Sequence, residues 1–384
     1  MKKLLAMAMA ACMAFTMVAC GGAASSTASS AAATSEAASA ESTTGAKTDV
    51  AFVTDVGNID DQSFNQYTWQ GVQDFCAANG LNANYYRPTE DSDAARIEQM
   101  DNAVADGAKA IVVAGYLFGS SIAEAQEKYP EVQFLALDVS AFDLGDKTAG
   151  ANTALITYRE EQAGYLAGYA AVYDGYKKLG FLGGMAVPAV QRYGFGFVQG
   201  ANAAAVELGT PIEIKYTYGG QFFGDANITA KMEGWYSTGT EIVFACGGGI
   251  YTSAVEAALA HKAYVIGVDV DQYYCKEAKN AMETDGYNPF VTSAMKGLQA
   301  ATENALDKFF KGEWAELGGK IETKKLETGD YVGLPTGEES WGFKSFTIDE
   351  YNKLVEAIRT GEVVVSDALE APAVDANVTV TYID

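Results

Sequence analysis

Residues 53 to 71 read VTDVGNIDDQSFNQYTWQG: the carboxylates Asp55, Asp60 and Asp61, several amides, the hydroxyl of Ser63 and the rings of Phe64, Tyr67 and Trp69, all directly after an apolar run. Turns are built from small polar residues, Gly and Pro, because those types tolerate the required backbone angles, so three aromatic rings are surplus to turning. Carboxylates and amides supply hydrogen bonds of fixed direction, and a ring supplies a flat apolar platform. A flat, uncharged ligand with polar edges would use both. The order Asp55, Gly57, Asn58, Asp60, Asp61 is out of register for a calcium loop, so no metal is expected; Asp60 reads as a cap for the following helix. Phe64 shares helical spacing with Trp69, Val72 and Phe75, so by pattern alone it reads as a core residue ahead of a stacking platform.

Other reactive types are sparse. His261 is the only histidine and stands near a helix end in ALAHKAYV, and no GxSxG elbow is present, so triad and histidine acid–base chemistry lack their members. Asp55, Asp61, Asp138 and Asp269 could approach one cleft, but they are better suited to holding hydroxyl and N–H groups than to hydrolysis. CGGGIYTS follows an apolar run without the GxxxxGKS or GxGxxG pattern, which favours close backbone approach to a neutral ligand over a phosphate cradle. Lys296 falls within a stretch read as a helix from Ser293 to Lys311, where a surface lysine is the plain alternative to a functional one.

The elements that must position these residues alternate. DVAFVTD, NANYYRP, AIVVAGY, VQFLALD and AGANTALIT read as strands, with helices between, including Ser92 to Asp106 and Ser120 to Tyr129. A second unit of the same plan follows the helix REEQAGYLAGYAAVYDG, whose Ala163, Gly164, Ala167 and Gly168 allow close packing. Its strands are KLGFLGG, IEIKYTY, EIVFACGGG and AYVIGVDVD. Short apolar runs bounded by Gly and Asp and separated by helices indicate parallel sheets covered on both faces. In such sheets ligands sit beyond the carboxyl ends of the strands, which is where the opening stretch lies.

At 384 residues the chain has room for about two domains. Lys2 and Lys3 precede an uncharged stretch, Leu4 to Val18, ending at VAC, which is the order of a secretory signal and short for a membrane span. Residues 21 to 46 are almost wholly Gly, Ala, Ser, Thr and Glu, a flexible tether. The formal net charge of −24 argues against nucleic acid as a partner. Beyond Cys12 and Cys20, the cysteines Cys76, Cys246 and Cys275 form neither a disulfide framework nor a zinc pattern and are expected to be buried apolar residues.

TMVACGG resembles a bacterial lipobox, with Met17 where Leu is more usual; this implies that Cys20 is acylated, with a palmitate-type anchor, after removal of residues 1–19. After it, VTDVGNIDDQSFNQYTWQG, FLALD, GFLGGMAVPAVQRYGFGFVQG, IVFACGGG, VIGVDVDQ and FVTSAMKG closely resemble, in that order, the basic membrane protein family, substrate-binding lipoproteins of ABC transporters that include purine nucleoside receptors. The resemblance covers about Asp49 to Phe310. It implies an α/β type I periplasmic binding-protein fold: two Rossmann-like doubly wound lobes, 47–156 plus 294–320 and 157–293 plus 321–384, joined by a multi-crossing hinge. It further implies a nucleoside clasped between aromatic rings, Phe64 from one lobe and Phe222 or Phe223 from the other, with spacing to Asp225 favouring Phe223. Base edges fall to Asn65, Asp61 or Ser63 and to Asp138, with Asp55 and Tyr116 in the same cleft. Ribose hydroxyls fall to Asp269, with Lys296 and the Gly248 backbone beside it and Asp271 a lesser candidate. The implied protein is a monomer that needs no cofactor, is anchored outside the cell membrane and hands its ligand to a permease. A sugar, a flavin or another small molecule in the same fold, or a receptor presenting its ligand to a membrane sensor, is the alternative.

Overall fold

The computed structural model describes residues 47–55 and 57–383. Cys20, the expected leader and the tether lie outside them. The first sheet is built from β1 (Val50–Val53), β2 (Ala83–Tyr86), β3 (Ala110–Ala114), β4 (Gln133–Leu137) and β5 (Thr153–Tyr158), with α1 (Phe64–Asn79), α2 (Asp93–Ala105) and α3 (Gly119–Lys128) between strands. β1 and β3 are buried along their whole length, as strands covered by helices on both faces must be. Ser92 caps α2 by accepting from the Ala95 N–H, as a serine before an amphipathic run should.

The second sheet follows α4 (Glu160–Tyr173). It contains β6 (Lys178–Gly183), β7 (Ile212–Tyr218), β8 (Ile242–Cys246), β9 (Tyr264–Asp269) and β10 (Phe290–Lys296), with α5 (Pro188–Leu208), α6 (Ala226–Ser237), α7 (Tyr251–His261) and α8 (Lys276–Asp285) interposed. The chain then returns through α9 (Leu298–Phe310), which packs on α1, and β11 (Lys320–Lys324), which pairs in parallel with β5. It crosses again to β12 (Val332–Gly333), α10 (Ile348–Arg359) and β13 (Val378–Ile383). Strand order is β11-β5-β4-β3-β1-β2 in one sheet and β12-β10-β9-β8-β6-β7-β13 in the other, and the β10–β12 pair alone among these is antiparallel. Each order reverses once in the doubly wound manner, between β1 and β3 and between β6 and β8.

Two expectations need correction. Ser293 to Lys296 belong to strand β10, not to a helix, because pairing with β9 overrides the helix-forming Ala294 and Met295. The crossings also fall elsewhere: β5 runs on to Tyr158, β10 remains in the second sheet to Lys296, and β11 stays with β5 through Lys324. Sheet pairing places the passages at residues 159, 297 and 325–331, rather than after 156, 293 and 320. Cys76, Cys246 and Cys275 are free and buried. Among the described residues no helix is long and apolar enough to cross a membrane.

Candidate functional site

The carboxyl ends of the strands open onto a cavity of about 370 Å³ between the two sheets, within the size range of small-molecule sites. Asp55 follows β1, Gly115 follows β3, Asp138 follows β4, and Tyr158 ends β5. From the other side come Cys246, Gly247 and Gly248 at the end of β8, Asp269 at the end of β9, and Lys296 at the end of β10. Of the residues singled out in the sequence, Asp55, Asp61, Phe64, Asn65, Tyr116, Asp138, Phe222, Gly248, Asp269 and Lys296 line this one space.

The turn between β1 and α1 forms the first-lobe wall and is locked from within. The Asp61 carboxylate accepts from the backbone N–H groups of Ser63, Asn65 and Gln66 at 2.9, 3.0 and 3.1 Å, so it is Asp61, rather than Asp60, that satisfies the free donors at the start of α1. Asp55 Oδ1 accepts from the Gly57 N–H at 2.6 Å and from Asn65 Nδ2 at 2.8 Å. That leaves Asn65 Oδ1 buried without a partner.

Lys296 is the centre of charge. Its Nζ lies 2.5 Å from Asp138 Oδ2, 3.6 Å from Asp269 Oδ1 and 3.8 Å from Glu160 Oε1. It also stands 4.6 Å from the centroid of the Phe64 ring, 5.5 Å from that of Tyr158 and 5.7 Å from that of Tyr193, an aromatic surround that favours a cation. Burial works against the ammonium, but Asp138, Asp269 and Glu160 outweigh it and hold its pKa above the usual lysine value. Glu160 receives a second cation, Arg192, at 2.6 Å. Asp138 and Asp269 both adopt left-handed backbone, with φ of 53° and 67°. For non-glycine residues this conformation is costly and tends to be kept where a site requires it.

The three remaining sequence candidates lie elsewhere. Ser63 is fully buried behind the wall and donates its hydroxyl to Asp269 Oδ2 at 2.5 Å. Asp271 accepts from the Ser340 hydroxyl and caps the short turn after β9. Phe223, favoured over Phe222 by spacing, is 54% exposed and outside the cavity, whereas Phe222 lines it. The reason is seating: a Cβ on Gly184 would meet the Phe222 ring at 2.5 Å and one on Gly247, at φ 140°, would meet it at 3.1 Å, so these two glycines form the bed for that ring. Tyr158, Glu160, Arg192 and Tyr193 were not anticipated. The signal for the first two is in the sequence, since Tyr158 ends a strand and the charged run REE that contains Glu160 directly follows it, where site residues concentrate.

Burial raises four carboxyls here, Asp55 among them, despite the bonds it accepts from Gly57 and Asn65. Asp61 is pushed up to about 7 despite the backbone donors that favour its charge, Glu161 to about 7 despite the bond from Arg159, and Asp138 to about 6 despite Lys296. Each folded value exceeds the unfolded one, so the folded state holds more protons between roughly pH 4 and 7, and stability falls as pH rises through that window. The expected result is a higher melting temperature at pH 5.5 than at pH 8. An Asp61→Asn variant should show a shallower dependence; a melting temperature that climbs from pH 5.5 to 8 would contradict this.

Residues 48–368 match the family model described as ABC transporter substrate-binding protein PnrA-like. The chain is 29% identical over 298 residues, 74% of its length and 81% of the relative's, to the "ABC transporter nucleoside-binding protein BmpA" of Lactococcus lactis subsp. cremoris. It is 27% identical to "Basic membrane protein B" of Borreliella burgdorferi, across 74% of this chain and 80% of that one. Among solved structures it resembles an ABC transporter solute-binding protein from Aeropyrum pernix, with a TM-score of 0.65 and 21% identity over 83% of this chain and 87% of that one. At that identity the likeness speaks to fold, the mixed α/β arrangement of periplasmic binding proteins.

Proposed function

Because this chain belongs to the Bmp family of PnrA-like ABC transporter substrate-binding proteins, we propose that its cavity takes up a nucleoside and that the closed protein delivers it to a permease. The family is one of extracytoplasmic solute-binding proteins, not of enzymes. The observation that carries the ligand reading is the pairing of chemistries in one cavity. Phe64 and Phe222 enter from opposite lobes, and Asn65 Oδ1, Asp138 Oδ1 and the Tyr193 hydroxyl are buried without partners. A buried polar atom without a partner costs free energy, and a ligand that supplies the missing bond recovers it. A base between the rings with its edge toward Asn65 and Asp55, and a ribose toward Asp138, Asp269 and Lys296, uses both features. Cys20, acylated, would hold a monomeric body at the outer face of the membrane, and mass spectrometry of the mature N-terminus checks that part.

Titration of the body from residue 46 onward against guanosine, inosine, adenosine, uridine, free bases, ribose and riboflavin tests the ligand. Tight binding of a nucleoside, with ribose and free base both weak, is expected. Phe222→Ala should weaken it about tenfold or more, since a stacked ring contributes about 0.5–1.5 kcal/mol beyond area burial, while Phe223→Ala stays within about twofold. A response to ribose or riboflavin alone would keep the transport role and overturn the nucleoside.

A further inference from the structure

Gln62 does not line the cavity, yet it ties the cavity wall to the opposite lobe. Its Nε2 donates to the Tyr251 hydroxyl at 2.9 Å and to Glu277 Oε2 at 3.0 Å. Its Oε1 accepts from the Lys276 N–H at 2.7 Å, the first residue of α8, a position that has no partner within its own helix. Its backbone carbonyl accepts from Gln272 Nε2 at 3.2 Å. Tyr251 belongs to α7, Lys276 and Glu277 to α8, and Gln272 follows β9, so all four contacts are with the second-sheet lobe. Gln62 itself has φ of 50°, a left-handed conformation unusual for a residue with a side chain. Its neighbours on either side bear on the cavity: Asp61 lines it, and Ser63, behind the wall, binds the cavity carboxylate Asp269.

We propose that Gln62 is a positioning residue, a clasp that holds the Asp61–Phe64 turn against the second lobe and sets the fraction of molecules that are closed. This rests on the reading of the cavity as a solute site. The partners of Gln62 are polar groups that turn to water when the lobes part, so the clasp contributes the difference between fixed partners and solvent. That difference is modest for one bond and appreciable for four. Since the apparent dissociation constant is the intrinsic one divided by the closed fraction, loss of the clasp weakens every ligand by the same factor and leaves selectivity unchanged. A residue that touched the ligand would change the ratios instead.

Gln62→Gly removes the side chain and accepts the left-handed backbone without strain. Solution scattering of this variant should give a larger radius of gyration than wild type. Guanosine, inosine and adenosine should each bind about tenfold more weakly, with ratios among them within about twofold of wild type and the change carried by the dissociation rate. Tyr251→Phe combined with Glu277→Ala, made on the other lobe, should shift affinity and scattering in the same direction, which separates the clasp from any local damage to the turn. Unchanged scattering with unchanged affinities in both variants overturns the clasp, as does a loss confined to one nucleoside. If wild type takes up no nucleoside, the ligand reading fails, and the scattering comparison still decides the clasp.

Discussion

Lys296→Met should destabilise the folded body by about 3–5 kcal/mol at pH 8, the usual cost of removing one partner from a buried ion cluster. The side chain is 4% exposed, and the carboxylates of Asp138, Asp269 and Glu160 around it are 8%, 6% and 0% exposed. Methionine keeps most of the aliphatic stem, so the loss is one of charge more than of packing. The three carboxylates fare differently once the ammonium is gone. Glu160 keeps Arg192, and Asp269 keeps the Ser63 hydroxyl. Among the described residues Asp138 has only Lys296 as its side-chain hydrogen-bond partner, and burial already pushes its pKa up to about 6. Without the cation its pKa rises further, so acid relieves the variant: below about pH 6 Asp138 takes a proton, and the gap to wild type should narrow. Chemical unfolding at pH 8 and pH 5.5 measures both quantities. Equal stability of the two proteins at pH 8, or a gap that widens in acid, would show that Lys296 does not hold this cluster together. Nucleoside affinity should fall in the same variant, because the site loses the cation that stands between Asp138 and Asp269.

Why Lys296 was placed on a helix surface when it lies at the buried end of a strand is a question of range. FVTSAMKGLQAATENALDKFF contains a strand, a glycine and a helix, but only the helix has a strong local period. Which apolar run pairs with β9 is decided by a partner some twenty-five residues earlier, beyond any local window. By contrast, Asp55, Asp138 and Asp269 were legible as site residues because each directly follows a short apolar run, and parallel sheets place such positions on one edge. Between Phe222 and Phe223, local spacing pointed to the wrong ring. The bed that selects Phe222 is made by Gly184 and Gly247, which directly follow β6 and β8 far from it in sequence. Gln62 could not have been singled out, since an amide in a turn is unremarkable until the opposite lobe is known. The lobe plan itself was readable from alternating runs, whereas the points of passage between sheets depend on strand lengths that differ by two to four residues from the pattern.

The second large effect lies in the helix pair behind the site. The small residues of α4 form a close-packing face, and the facing helix is α5, packed through glycines of its own. A Cβ on Gly164 would come within 2.1 Å of the Tyr193 carbonyl oxygen and one on Gly168 within 2.1 Å of that of Phe197; reciprocally, Gly196 would meet the Glu161 carbonyl at 2.2 Å and Gly200 that of Tyr165 at 1.9 Å. These obstacles are backbone atoms, which cannot rotate aside as a side chain can. Even Gly200→Ala must therefore force the helices apart, and a loss of at least about 3 kcal/mol is expected, at the upper end of overpacking costs. Gly234→Ala is the control: Gly234 sits inside α6 with nothing within 4 Å of its would-be Cβ, and alanine there should be neutral or stabilising by up to about 1 kcal/mol. The consequence extends to the ligand, because α4 carries Glu160 and Glu161 while α5 carries Arg192 and Tyr193. A wider gap separates Glu160 from Arg192 and moves the Tyr193 hydroxyl, so Gly200→Ala should lose affinity as well as stability. If its unfolding midpoint matched that of Gly234→Ala, the two helices would have room to spare, and the site would not depend on their close approach.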